Sequence, residues 1–245
     1  MDLITHALHQ NNEGVRLLAL NRPTEAFDVL SFALDQMSKV AVATKMYEIQ
    51  CGVSPMPVPA AFLSNSCTGK LPQEHFTNPI PVKMHPVLHQ SMEDDCPVSI
   101  CNHAVQIQIE GLQGAMPTSQ CCELFMASIS NNMALSFHQR AYDGHQDLKV
   151  TALRTALTLN YLTMQLIHAC SGEFECPSLA AAVLNNVCVL HHELGERQQH
   201  HEVLTVLRSL FFDLELLSRT PEQKVYIGKL FHDTLLRMPY SAGAA

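Results

Sequence analysis

Cysteine and histidine residues gather at two places in the sequence where their spacing raises the question of metal binding. Cys96, Cys101 and His103 lie close together, and His191-His192 and His200-His201 supply four imidazoles on either side of one turn. Zinc uses these residue types, but structural zinc sites usually carry closer, repeated pairs such as C-x2-C. A polar loop with a buried thiol, and histidines on partly exposed helix faces, account for the same residues. We therefore predict no metal site and no other cofactor.

Nucleophilic catalysis has less support in the sequence. There is no G-x-S-x-G elbow, no glycine-rich phosphate loop, no dinucleotide fingerprint and no H-E-x-x-H motif. Cys121 and Cys122 have no basic neighbour in sequence that would activate a thiolate, which favours inert, core-facing side chains. We predict no catalytic residue and a protein that is not an enzyme, with an active site assembled from distant residues as the open alternative.

Asparagine is the third residue type with a candidate role, because a pair of Asn residues occurs three times in a similar context. Asn11-Asn12, Asn131-Asn132 and Asn185-Asn186 each precede a free residue, a small residue and an aliphatic residue. An asparagine amide donates and accepts hydrogen bonds together, so it matches the N–H and C=O of one peptide unit. Helical geometry places the second Asn on the same face as the residues three and seven positions later. The repeated phrase therefore predicts three equivalent helices, each with an amide on one face.

The segment around the first phrase has the pattern of a helical hairpin. Apolar residues recur at helix spacing until the pattern breaks at Asn21-Arg22-Pro23, and a second helix follows to about Ile49. Gly14 in the first helix, with Ala26 and Ala33 in the second, predicts a close approach of the two backbones.

Small and large residues are regularly spaced in this hairpin. Leu17, Ala26, Leu30 and Ala33 lie 3, 12, 16 and 19 residues after Gly14. This spacing resembles the tetratricopeptide repeat, whose unit is about 34 residues long, and the Asn pair is similar to the kinesin-light-chain-like variant of that repeat. The resemblance implies an all-α fold, a right-handed superhelix of stacked hairpins. It also implies a groove in which the Asn binds the backbone of an extended peptide.

The sequence changes character after the first hairpin, which covers residues 1–50. Eight of the 13 prolines lie between Cys51 and His103, where no helical pattern survives. We predict that residues 51–118 form a long, irregular, Pro-rich insertion. A disordered linker and an extended strap anchored by apolar side chains both remain open. Alternating apolar residues from Ile100 to Ile109 fit a short strand or the lead-in to a helix.

Residues 119–240 return to a helical pattern and complete a single domain with the first hairpin. The second phrase lies on a helix from about Ser119 to Arg140. Its partner helix, from about Asp147 to Cys170, fits the repeat only after an insertion of about three residues. This second copy is therefore predicted to be degenerate.

The third phrase lies on a helix that Ser178 caps and that ends at Gly195. In the next helix His200 lies at the position where the tetratricopeptide repeat carries a small alanine. We expect the larger side chain to wedge the two helices apart or to shift their register. A last helix from Thr220 to about Met238 is predicted to cover the exposed end of the array.

Composition restricts the partners. The chain of 245 residues has a formal net charge of −8 and no run of Lys or Arg, so we expect no nucleic-acid partner. No apolar stretch is long enough to span a bilayer, and the N-terminal residues lack the pattern of a signal peptide. Nine cysteines, an odd number, fit reduced thiols. The predicted location is the cytoplasm, with the nucleus as the alternative.

These observations predict a protein-interaction scaffold that binds an extended peptide or partner chain in a helical groove, and they argue against a small-molecule substrate. Three alternatives stay open. Each Asn bonds between neighbouring helices and holds the stack; the Pro-rich segment occupies the groove in cis; or the array is a structural subunit whose ends a partner covers. The predicted groove residues are Asn12, Asn132, Asn186, His138, His192, Gln139 and Glu193.

Overall fold

The chain folds mainly into helices, as the sequence predicted. A computed structural model describes residues 2–50, 82–87, 104–109, 118–143, 146–170 and 177–217. Most of these residues belong to helices, and the all-α class is thereby confirmed for the described part of the chain. The helices are α1 (Asp2–Ala19), α2 (Pro23–Gln50), α3 (Ser119–Arg140), α4 (Gln146–Cys170), α5 (Pro177–Glu193) and α6 (Arg197–Leu217).

The helices are arranged in sequence order. Each helix packs against the next one, while α1 also contacts α3 and α3 also contacts α5. The three helices that carry the Asn phrase are therefore neighbours along one side of the array. Within the described ranges, no helix combines the length and apolar character needed to cross a membrane.

Two strands lie in the segment that the sequence predicted to be irregular; the second was one of the alternatives left open, and the first was not predicted. β1 (Val82–Val87) and β2 (Ala104–Ile109) pair antiparallel, with Val82 opposite Ile109 and Val87 opposite Ala104. The alternating apolar residues of β2 thus form a strand and not the start of a helix, because their period of two suits a strand buried between other elements. Both α1 and α3 contact β2. Residues 51–81, 88–103 and 110–117 of the predicted insertion lie outside the described residues.

The first hairpin shows the predicted close approach of two helices. A Cβ added to Gly14 would lie 2.5 Å from Cγ of Leu30, so only glycine fits against that leucine. Ala26 and Ala33 are fully buried in the same cluster as Leu30. Small residues on both helices therefore let the leucine fill the space between them.

Helices α1 and α5 end in the same left-handed turn. Asn21 has φ 54° and Gly195 has φ 74°, and each lies nine residues after the second Asn of its phrase. The N–H of the following residue reaches back to the helix, from Arg22 to the Leu17 carbonyl at 3.0 Å and from Glu196 to the His191 carbonyl at 2.9 Å. This hydrogen-bond pattern is the Schellman motif, which satisfies carbonyls at the helix end.

The second copy departs from this geometry, as predicted. Ala141, the residue equivalent to Asn21 and Gly195, has φ −60° and continues the right-handed backbone. Helices α2 and α6 begin eleven residues after the second Asn of their phrases, whereas α4 begins fourteen residues after Asn132. With this three-residue shift, Leu153 and Ala156 take the places of Leu30 and Ala33, and both are buried.

Two helix starts differ slightly from the sequence predictions. α4 begins at Gln146, one residue early, and α5 begins at Pro177, so Ser178 lies inside the helix and is not its cap. Proline suits the first helical position because its missing N–H would have had no partner there. His200 hydrogen-bonds the Cys188 carbonyl through Nδ1 at 2.9 Å, and α5 and α6 still pack together. The predicted helix from Thr220 to Met238 lies outside the described residues.

The helices on either side of the insertion contact each other through Glu48 and Ser119. Glu48, near the end of α2, accepts hydrogen bonds from the N–H of Ser119 at 2.9 Å and from its hydroxyl at 2.7 Å. Thr118 caps α3 by accepting from the Cys121 N–H at 3.2 Å. A carboxylate at the first turn of α3 also matches the positive end of the helix dipole. The second hairpin therefore follows the first directly in space, although 68 residues separate α2 from α3.

Candidate functional site

Two asparagine side chains bind the backbone of β2 in the same way. The Asn132 amide accepts from the Val105 N–H at 2.8 Å and donates to the Val105 carbonyl at 2.9 Å. The Asn12 amide accepts from the Ile107 N–H at 3.0 Å and donates to the Ile107 carbonyl at 3.0 Å. Each amide thus forms a reciprocal pair with one residue, as a neighbouring strand does in an antiparallel sheet.

The spacing of these pairs follows from strand geometry. Val105 and Ile107 are two residues apart, so their N–H and C=O groups point to the same edge of β2. The groups of the alternate residues point to the opposite edge, where β1 lies. Pro86 is opposite Val105, and this pair needs no hydrogen bond between the strands, so the missing N–H of proline breaks none. β2 is therefore bound on one edge by β1 and on the other by helix side chains.

The first Asn of the first two phrases joins the helices to one another. Asn11 accepts from the Asn132 amide at 2.9 Å and also donates to the Val105 carbonyl at 3.2 Å. Asn131 accepts from the Asn186 amide at 3.0 Å. In both cases the second Asn of the later phrase donates to the first Asn of the earlier phrase. We call these five residues, Asn11, Asn12, Asn131, Asn132 and Asn186, the Asn ladder.

The contact with β2 is buried and uncharged. Asn11 and Asn132 are fully buried, and Asn12 is half-buried. Val105 and Ile107 are 3% and 2% exposed, and they pack into two different apolar clusters. Because an unpaired amide or peptide group is costly at such burial, each hydrogen bond of the pair depends on its partner being present.

The sequence left open whether the Asn side chains bind an extended backbone or bond between neighbouring helices. Both kinds of contact occur in the Asn ladder, and they differ from one Asn to the next. Asn12 binds β2, Asn132 binds both β2 and Asn11, and Asn186 bonds to Asn131 on the neighbouring helix. Among the described contacts, only the first two members of the predicted set touch an extended backbone. The amide of Asn186 belongs to the contact between α3 and α5.

Two further members of the predicted groove form a buried pair between helices. His138 Nε2 lies 3.0 Å from a carboxylate oxygen of Glu193, joining α3 to α5. Burial by itself raises the pKa of Glu193, but hydrogen bonds from His138 and Tyr142 and the charges of His138 and Lys149 outweigh it, so the net pKa is lowered. Glu193 is therefore a carboxylate held by its neighbours.

The remaining two predicted groove residues also lie away from β2. Gln139 donates to the Leu18 carbonyl at 3.3 Å, near the end of α1. His192 is exposed, and its ring lies 5.2 Å from the ring of His200. The helical periodicity placed these residues on the same side of their helices as the second Asn. That side also makes the contacts between helices, so a residue on it does not have to lie near β2.

A hydrogen-bonded chain of polar side chains joins α4 to the turn after α5. The hydroxyl of Tyr161 lies 2.8 Å from His191 Nε2, and His191 Nδ1 lies 2.6 Å from a carboxylate oxygen of Glu196. The hydrogen bond from His191 and the charge of Arg154 lower the pKa of Glu196, so Nδ1 is the donor. Burial and the charge of Glu196 raise the pKa of Tyr161, which keeps the phenol protonated. The arrangement fixes a turn and does not activate a nucleophile.

Two buried thiols, those of Cys122 and Cys188, are not poised for chemistry. Cys121 and Cys122 are buried, as the sequence suggested. Burial raises the pKa of Cys122 to about 12 and that of Cys188 to about 11. Among the described residues, no group of three or more His, Cys, Asp or Glu side chains is arranged to hold a metal ion. The predicted candidates Cys96, Cys101 and His103 lie outside the described residues.

Sequence reasoning missed four residues of the site. Asn11 and Asn131 were part of the repeated phrase, but helix geometry placed only the second Asn on the face under consideration. Val105 and Ile107 carried the signal of alternating apolar residues, which marks a strand without saying what the strand binds. Neither a protein-family model, a curated protein nor a solved structure matches this chain.

Proposed function

We propose that this protein is an interaction scaffold whose Asn ladder recognises the backbone of an extended protein segment. One observation carries this function: Asn132 and Asn12 bind both backbone polar groups, N–H and C=O, of Val105 and Ile107, which are two residues apart. In this chain the bound segment is β2. A helical array that holds an extended segment in this way resembles the tetratricopeptide-like superhelix with a peptide groove that we expect from the sequence.

Backbone recognition of this kind is sequence-tolerant, because every residue except proline offers the same N–H and C=O groups. Side chains that enter the apolar clusters beside the ladder then set the selectivity. The described contacts to β2 involve uncharged amides and apolar side chains, which suits a peptide or partner chain better than an ionic ligand.

A second candidate function is a self-stapled structural array, in which β2 is a permanent part of the core. The burial of Val105 and Ile107 favours it. The two candidates differ in one consequence. A scaffold binds a separate segment once its own β2 is prevented from binding, whereas a self-stapled array loses stability and gains no binding.

The test uses a full-length Val105→Pro/Ile107→Pro variant, because proline removes the two N–H groups that the Asn side chains accept from. The probe is a labelled peptide with the sequence AVQIQI of β2, flanked by lysines to keep it soluble. Fluorescence anisotropy measures its binding. We expect the probe to bind this variant, and no binding by a folded variant would contradict the scaffold function.

Two modified peptides supply the matched comparison. N-methylation at the positions of Val105 and Ile107 removes the groups bound by the ladder, and N-methylation at the positions of Gln106 and Gln108 removes groups that point away from it. We expect the first peptide to bind at least about tenfold more weakly than the second, from the loss of about 1.4 kcal/mol or more. Equal binding of the two peptides would contradict recognition by the Asn ladder.

A further inference from the structure

We propose, building on the scaffold function above, that β2 is an exchangeable occupant of the groove. The external partner is an extended segment with apolar residues at two alternate positions, and it binds by displacing β2. The first support is the path of the chain. Glu48 on α2 binds Ser119 at the start of α3 directly, so the array is closed by a contact that does not involve β2. The strand can therefore leave without separating the first hairpin from the second.

The contacts that β2 makes define the partner that can replace it. Departure of β2 exposes the apolar surface that Ala104, Val105 and Ile107 now cover. It also leaves the buried amides of Asn11 and Asn132 without their backbone partners. A competing segment must restore both kinds of contact, because either loss alone is unfavourable.

This requirement specifies the chemistry of the partner. It needs an N–H at two positions two residues apart, which excludes proline at both. It also needs apolar side chains at those positions, with a size near that of valine and isoleucine. The groups that bind the β2 backbone are uncharged amides, so the affinity should change little with ionic strength, in contrast to recognition of an acidic tail.

Exchange has a thermodynamic signature that a permanently filled core lacks. The apparent affinity for a partner equals the intrinsic affinity multiplied by the fraction of molecules in which β2 has left the groove. A change that weakens only β2 must therefore strengthen partner binding. A change that weakens the Asn ladder weakens the binding of β2 and of the partner alike, so the two losses largely cancel in the apparent affinity. Only the first kind of change shifts the balance between β2 and the partner, although both changes destabilise the closed protein.

The test compares three full-length proteins, the wild type, Val105→Ala/Ile107→Ala and Asn132→Ala, with the lysine-flanked AVQIQI peptide as probe. The double variant keeps the ladder and shortens the two β2 side chains that compete with the probe. We expect its affinity for the probe to exceed that of the wild type at least about tenfold, whereas Asn132→Ala weakens the binding of β2 and of the probe alike and should change the affinity much less. Equal affinities of the wild type and the double variant would overturn the exchange.

A second measurement uses only the wild type, so it does not depend on the folding of a variant. Hydrogen exchange by mass spectrometry follows the chain's own residues 104–109 with and without unlabelled probe. We expect faster exchange of this segment when the probe is present, because displaced β2 loses its hydrogen bonds. Unchanged exchange at saturating probe would overturn displacement.

The two proposals fail in different ways. If the probe binds none of the three proteins nor the proline variant, the scaffold function itself is wrong. If it binds the proline variant but hydrogen exchange of wild-type residues 104–109 does not change, the ladder recognises backbones and only the exchange is wrong. With a probe flanked by serines in place of lysines, raising the salt concentration from 50 to about 500 mM should leave the affinity nearly unchanged, and a steep loss would contradict the uncharged partner.

Discussion

Asn132 and Val105 exchange two hydrogen bonds although they lie 27 residues apart and on different kinds of element, a helix and a strand. A helix cannot extend a sheet, because its own backbone groups are already paired. An amide side chain solves this problem, since it offers one donor and one acceptor at the spacing of a peptide unit. Asn12 pairs with Ile107 in the same way. Together the two side chains take the place of a third strand beside β2.

Removal of the Asn132 amide tests how much the array depends on this contact. Asn132→Ala leaves the buried Val105 N–H and the Asn11 side-chain oxygen Oδ1 without the partners that Asn132 supplies, so we expect a loss of about 2–4 kcal/mol in the free energy of unfolding. Urea denaturation measures this loss of stability.

Asn160→Ala is the control. Asn160 is equally buried, but its amide donates only to Ala156 in its own helix and its oxygen has no partner among the described residues. We expect it to lose less than about 1 kcal/mol. Equal losses in the two variants would contradict a special role for Asn132.

The close approach of α1 and α2 predicts that Gly14 cannot be enlarged. Gly14→Ala forces the new Cβ against Leu30, and overpacking costs about 1–3 kcal/mol, against a gain in helix propensity of about 1 kcal/mol. We expect a net loss of up to about 2 kcal/mol in the free energy of unfolding, measured by thermal or urea unfolding. A double-mutant cycle with Leu30→Ala should show a coupling of about 1 kcal/mol or more, because the shorter side chain makes room. Purely additive effects would contradict the packing.

The contact between Glu48 and Ser119 predicts that the array is held together across the insertion. Glu48→Gln keeps the size of the side chain but removes the charge at the start of α3 and weakens its hydrogen bonds, so we expect a loss of about 1–2 kcal/mol. Glu25→Gln is the surface control. Glu25 pairs with Arg22 where both side chains are exposed, and such pairs contribute between about 0 and 1 kcal/mol. An effect no larger than the control would contradict the closure through Glu48.

The buried pair of His138 and Glu193 predicts a pH-dependent part of the stability. The folded-state pKa of Glu193 is lowered from its ordinary value of 4.5, so its charge stabilises the fold above that pH. The contribution is lost as the pH falls through 4.5 towards the lowered value. We expect Glu193→Gln to be less stable than the wild type by about 1 kcal/mol at pH 7, and the difference to shrink below about pH 4.

Urea denaturation between pH 3.5 and 7 measures this dependence. Glu202→Gln serves as its control because Glu202 is exposed on α6. A difference between Glu193→Gln and the wild type that is constant over the whole pH range would contradict the assignment.

The helical framework was predictable because its signals are local. The bounds of α3 follow from the apolar period and from Thr118, a good cap, and the Asn phrase marked three equivalent helices. The three-residue shift in the second copy was visible as a misfit of Leu153 and Ala156 to the spacing of the first hairpin. These features depend on residues within one or two turns of each other.

The site was less predictable because it depends on contacts across the chain. An Asn amide suits an extended backbone and another amide equally well, and Asn132 binds both. The path of a long insertion decides which of its segments lies beside the Asn ladder. The alternating pattern of residues 104–109 predicts a strand but does not predict where that strand binds. The link between Glu48 and Ser119 was missed for the same reason, although an acidic residue before the insertion and a helix start after it were both visible.

The binding of β2 by Asn132 can be followed through the amide hydrogen exchange of Val105, measured by NMR in the wild type and in Asn132→Ala. We expect the Val105 N–H to be protected in the wild type. We expect Asn132→Ala to accelerate its exchange by about tenfold or more, as for a lost contact of about 1.4 kcal/mol, with a smaller change at Ile107. An unprotected Val105 N–H in the wild type, or an exchange rate that Asn132→Ala leaves unchanged, would contradict the binding of β2 by the Asn ladder.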